Sequence, residues 1–142
     1  MDECKSFVKR HIENDNILVF SSILFLIPAY VAYINELYIY SINTFITSII
    51  SIHNWLQYRY TNKSTTLDKI FVRTTFLLYV ITGCFVVKSN ILIFLGLLDA
   101  LNCIMFYNIS WQCIEDKYTS NILHFLLHIG ALLGMLIIVS GC

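Results

Sequence analysis

The stretch Ile122–Ser140, ILHFLLHIGALLGMLIIVS, decides how this chain must fold. It holds no Asp, Glu, Lys or Arg, and it approaches the roughly 20 apolar residues that a helix needs to cross a bilayer. Gly130 and Gly134 stand four apart, the small-xxx-small spacing that lets a neighbouring helix come close inside a membrane. His124 and His128 share that spacing in the first two turns, so they point to one helix face.

Working outward, four more apolar blocks precede this one: residues 17–34, 37–53, 70–87 and 91–107. Pro28 lies inside the first and predicts a kink, which is tolerable where neighbouring helices re-satisfy the freed carbonyl. Hydrophobic residues make up 58% of the 142 positions and charged residues 13%, against about 25% charged in an ordinary soluble domain. The mean hydropathy is +0.72. The fold class expected is therefore an all-α membrane protein, a bundle of five transmembrane helices. Residues 1–16 form a polar N-terminal tail and residues 17–142 a single transmembrane domain. Multi-pass insertion in a lipid bilayer is the expected localisation.

The remaining composition excludes several classes. Net charge is zero, so no basic stripe exists to neutralise nucleic-acid phosphates. The five cysteines (Cys4, Cys84, Cys103, Cys113, Cys142) are scattered without a CxxC pair and read as small apolar packing residues. The first sixteen residues are polar with mixed charge, unlike a cleavable signal peptide.

The connections set direction. Blocks one and three are followed by short links, so those helices form tight antiparallel hairpins; blocks two and four are followed by longer polar stretches, 54–69 and 108–121. Both long loops then share a face with the N-terminus. Lys5, Lys9, Arg10, Arg59, Lys63, Lys69, Arg73 and Lys117 lie on or near that face, and Lys88 alone lies on the other. The positive-inside rule makes the crowded face cytoplasmic, with the C-terminus on the opposite side. Two Asn-x-Ser tripeptides, at Asn62 and Asn108, also fall on it, where glycosylation does not occur.

Ionisable groups at membrane depth are costly and raise a functional hypothesis. His53 ends block two, Asp68 opens block three, and His124 and His128 open block five, all on the same face. Three imidazoles and a carboxylate at one depth form the donor set of an open zinc site, with nitrogen at about 2.0–2.1 Å and a water as fourth ligand. Zinc brings that water's pKa to about 7, and a carboxylate can take its proton. The bland reading stands beside it: an HxxxH pair arises by chance, His53 and Asp68 are interfacial residues, and Lys69 or Arg73 pairs with Asp68. Asp99, mid-block in LLGLLDALNC, reads as a buried polar group bonded to a neighbouring helix, as a proton or substrate group, or as an acceptor for a ligating imidazole's spare N–H.

A histidine ending one helix (SIISIHNW), an aspartate opening the next (TTLDKIF) and a last helix starting NILHFLLH resemble the CREST superfamily, which includes alkaline ceramidases and the progestin and adipoQ receptors. The resemblance implies a zinc-dependent intramembrane hydrolase of a lipid amide or ester. It implies that His53, His124 and His128 bind the metal and that Asp68 holds the reactive water. Family members usually have seven spans, and their serine four residues before the first histidine is Ile49 here. Two other readings are a non-enzymatic membrane scaffold, such as a degenerate relative, and a haem-binding protein. Clustering on one face suits a single metal site better than two axial haem ligands.

Overall fold

The computed structural model describes residues 16–57, 62–113 and 115–141; the tail expected over residues 1–16 falls outside them except for Asn16. Six α-helices follow in order: α1 (Asn16–Leu24), α2 (Leu26–Ile34), α3 (Tyr38–Gln57), α4 (Asn62–Val86), α5 (Asn90–Gln112) and α6 (Lys117–Gly141). No strand occurs among the described residues. Helices α1 and α2 are one rod interrupted at Phe25. Pro28 explains the break: it has no N–H for the Leu24 carbonyl, and its ring crowds that carbonyl. The Phe25 N–H turns instead to the Ser22 carbonyl at 3.4 Å.

The turn into α3 has a definite chemistry. Glu36 sits at φ 61°, the Leu37 N–H bonds the Ala32 carbonyl at 2.8 Å, and the Glu36 N–H bonds the Tyr33 carbonyl at 3.1 Å. That pair of bonds is a Schellman motif, which reverses a chain within three residues. The opposite hairpin, Val87–Ser89, is capped by Ser89, whose side chain accepts the Leu92 N–H at 3.5 Å.

Contacts between elements show five rods running alternately up and down. Thr44 meets Tyr79 at 2.6 Å and Thr47 meets Thr75 at 2.7 Å, so α3 and α4 are antiparallel. Ser120 bonds the Ser110 carbonyl at 2.9 Å at one end of α5–α6, and Gly141 approaches Leu92 at the other. Asn35, at the end of α2, bonds the Val139 carbonyl at 2.8 Å. One end of the bundle therefore carries the two tight turns, and the other carries Asn16, Gln57, Asn62, Gln112 and Lys117.

Helices run further than the apolar blocks. The polar stretch 54–69 is largely helical, because α3 continues to Gln57 and α4 starts at Asn62. Likewise α5 reaches Gln112 and α6 begins at Lys117. Hydropathy marks where a helix is greasy and says little about where its hydrogen-bond ladder stops, so helix takes up much of both expected loops.

Four stretches are long and apolar enough to cross a membrane: Asn16–Ile34, Thr66–Val86, Asn90–Gln112 and Lys117–Gly141. Helix α3 differs in kind. Its polar residues Thr44, Thr47, Ser48, Ser51 and Asn54 are all buried, while Ile39, Ile42, Phe45, Ile49 and Leu56 are exposed. A water-soluble helix has the opposite arrangement. The rest of the exterior agrees, with Phe85 85% exposed and Ile91 72% exposed. An apolar skin of that extent suits a hydrocarbon solvent, whereas soluble monomers rarely expose contiguous apolar patches beyond a few hundred Å².

The apolar core, including Phe25, Ala32, Tyr40, Tyr79, Val87 and Val139, lies towards the tight-turn end. Gly130 and Gly134 do bring α5 and α6 together, and their contact is the most extensive in the bundle. The partner seated there is a carboxylate: a Cβ on Gly134 would stand 2.5 Å from Asp99 Oδ2, and one on Gly130 would stand 3.3 Å from Oδ1.

Candidate functional site: a polar-ended cavity

At the end of the bundle away from the tight turns, the helices part around a cavity of about 580 Å³. Along α6 its wall runs from Lys117 to Met135, which is about 27 Å at 1.5 Å rise per residue. It is long as well as large. Its outer part carries Asp68, Lys69, Arg73, Trp111 and Lys117, and its inner part carries Phe76, Ile104, Leu127, Ala131 and Met135. Helix α4 makes only sparse contact with α5 and α6, and this looseness leaves the space.

His124 and His128 both line the cavity. Their ring centroids are 5.1 Å apart, and Trp55 packs edge-on against them at 5.1 Å from His124 and 6.5 Å from His128. Ser21 Oγ lies 2.7 Å from His128 Nδ1 and 3.1 Å from the Leu18 carbonyl. With the Ser21 proton on that carbonyl, His128 donates Nδ1–H to Oγ and keeps its lone pair on Nε2. Phe25, freed from regular helix by the proline break, packs on the same ring at 5.3 Å.

Asp68 is buried at the mouth-side wall. Ser51 donates to its Oδ1, and Asn54 Nδ2 donates to its Oδ2 at 3.3 Å. Its direct partners are thus Ser51 and Asn54 rather than the Lys69 or Arg73 of the bland reading. Those cations turn to aromatic faces on α5: Lys69 Nζ stands 4.3 Å from the Trp111 ring, and Arg73 stands 5.9 Å from the Tyr107 ring and donates to its hydroxyl at 3.1 Å. Lys69 and Arg73 are one turn apart on α4, as are Tyr107 and Trp111 on α5, so the four side chains form a two-rung bridge across a loose seam.

Of the sequence-predicted residues, the fold brings Asp68, His124 and His128 to one cavity. It does not bring His53, which is exposed on α3, while its near neighbours Asn54 and Trp55 line the cavity. The side chain facing the histidine pair from α3 is Trp55. No group of three His, Cys, Asp or Glu side chains placed to share a metal occurs among the described residues. Asp99 does not line this cavity. It lines an adjoining one of about 50 Å³ with Gly134 and Cys103, and the side chain at His128 Nδ1 is Ser21.

Ser21, Ser51, Asn54 and Trp55 are the side chains that sequence reasoning missed. For Ser51 and Asn54 the signal was a polar stripe at helical spacing, Thr44, Thr47, Ser48, Ser51 and Asn54, in a helix otherwise rich in isoleucine. Comparison of the chain with protein-family models, with curated proteins and with solved structures gives no match.

Proposed function

We propose that this chain is a five-span integral membrane protein that holds a lipid-sized amphiphile in the cavity beside His124 and His128, without catalysing its hydrolysis. The observation that carries the proposal is the shape and lining of that cavity. At about 580 Å³ it falls within the range of small-molecule sites, and it grades from charged and aromatic side chains to an apolar interior. Five spans are supported by the up-and-down alternation of the rods and by the buried polar stripe of α3, which has an apolar outer surface to offer lipid. The excess of Lys and Arg at the cavity end supports a cytoplasmic position for that end and the N-terminus, with the C-terminus across the membrane.

On this reading the chain is a shortened, degenerate relative of the CREST fold. It keeps the HxxxH helix and the aspartate, and Trp55 stands where a third ligand would have to face the pair. The test uses the protein's own fluorophores, since both of its tryptophans line the cavity. In a Trp111→Phe variant in lipid nanodiscs, a single-chain amphiphile brominated in mid-chain should quench Trp55 saturably. Quenching that rises only linearly with bulk lipid would refute the proposal.

A second reading, zinc-dependent hydrolysis of a lipid amide or ester, draws its support from Asp68, His124 and His128 lining the same cavity. It requires about one zinc per purified chain, lost on His53→Ala as well as on His124→Ala. Zinc retained in full by His53→Ala would remove the three-histidine version.

A further inference from the structure

We infer that the amphiphile is anionic, with its head group held by Lys69 and Arg73 and a hydroxyl or amide N–H of the same head received by Asn54. This rests on the reading of the cavity as an amphiphile site and adds the class of ligand.

Two independent observations support it. The first is charge. The cavity lining carries the adjacent cations Lys69 and Arg73 against one carboxylate, Asp68. That carboxylate already accepts from Ser51 and Asn54. Among the described residues Lys69 and Arg73 form no direct ion pair, although the Lys69 charge is felt at Asp68, and they rest on the Trp111 and Tyr107 rings. Cation–π contacts at exposed sites are weaker than a charge-assisted bond to a phosphate or carboxylate. An incoming anion can therefore draw both cations to itself while Tyr107 and Trp111 remain as a collar around the head.

The second observation is an orphan. Asn54 is 1% exposed, and its Oδ1 has no hydrogen-bond partner. Its amide orientation is fixed, because Nδ2 faces Asp68 Oδ2. A buried acceptor without a donor is costly, and this one belongs to the wall of the cavity next to Asp68. A hydroxyl or amide N–H adjoining the anionic head would satisfy it. The chemistry that meets both demands is a single-chain lipid phosphate or carboxylate with a neighbouring donor.

The experiment measures binding to the full chain in phosphatidylcholine nanodiscs by tryptophan fluorescence. Four probes are compared: oleoyl lysophosphatidate (anion and hydroxyl), oleate (anion alone), monooleoylglycerol (hydroxyls alone) and inorganic phosphate. Lysophosphatidate should bind at least about tenfold more tightly than monooleoylglycerol, a difference of about 1.4 kcal/mol. In the Lys69→Gln/Arg73→Gln variant that preference should fall to about twofold or less, with monooleoylglycerol binding unchanged as evidence of an intact cavity. Asn54→Leu should weaken lysophosphatidate and leave oleate unaffected. Equal binding of lysophosphatidate and monooleoylglycerol to the native chain would overturn the anionic head group and leave the amphiphile site standing. Failure of every acyl probe would overturn the site itself. Inorganic phosphate competing as well as the lipid would show a free-anion site and overturn the lipid source.

Discussion

Helices α3 and α6 solve the same problem in opposite ways. Helix α6 is apolar nearly throughout, and it docks on α5 through glycines. Helix α3 falls outside the four stretches marked by hydropathy, yet it is buried along Tyr40, Thr44, Thr47, Ser48, Ser51 and Asn54. It docks through hydrogen bonds: Thr44 to Tyr79, Thr47 to Thr75, Ser51 to Asp68, and Ser48 to the Ser22 carbonyl at 2.7 Å. In lipid there is little hydrophobic drive between helices, so close packing and interhelical hydrogen bonds are the two means of association available. The chain uses one at each side of its cavity. A glycine seam concentrates its cost of disruption in a few positions, whereas a polar ladder spreads it over many.

That contrast can be broken by substitution, read as thermal unfolding of the purified protein in detergent. The steepest loss is expected from Gly134→Ile, whose side chain would be driven into Asp99, at about 3 kcal/mol. Combining it with Asp99→Ala should recover part of that loss, because the two sites are in contact. Next comes Asp68→Ala, which leaves the Ser51 hydroxyl and the Asn54 amide without their acceptor and should cost about 2 kcal/mol. Glu36→Gly, in the turn that launches α3, should instead stabilise by about 1 kcal/mol, since its φ of 61° is strained for a side chain and easy for glycine. Thr47→Val removes one rung of the ladder and should cost about 0.6 kcal/mol. If Thr47→Val proved as damaging as Gly134→Ile, the distinction between the two seams would collapse.

The glycine side was legible in the sequence and the ladder side was not. Gly130 and Gly134 announce a close approach by their spacing alone, although nothing there says that a carboxylate would fill it. His124, His128 and Asp68 were assigned to one end of the bundle by counting spans, and they do line one cavity. His53 was assigned there by the same count, which gives height along the bundle and not rotation about the helix axis. Neighbouring residues on a helix point about 100° apart. Rotation is set by which residues must be buried, and in α3 those are Ser51 and Asn54. Their claim on the interior turns His53 outward. Reading the serines, threonines and asparagine as the inward face would have found this, but in a helix judged by hydropathy they count only as interruptions. The Lys69–Trp111 and Arg73–Tyr107 bridge was hidden for another reason, because it joins two helices whose pairing depends on the whole topology.

Everything placed at the cavity depends on α3 crossing the membrane despite its polar residues. The direct measurement is the side on which each terminus lies, read by protease protection of an epitope tag at either end in sealed vesicles. Five spans place the two tags on opposite sides, so that one tag is digested and the other survives. Tags on the same side would mean an even number of spans. Helix α3 would then lie outside the bilayer, and the cavity lined by Asp68, His124 and His128 could not form as described.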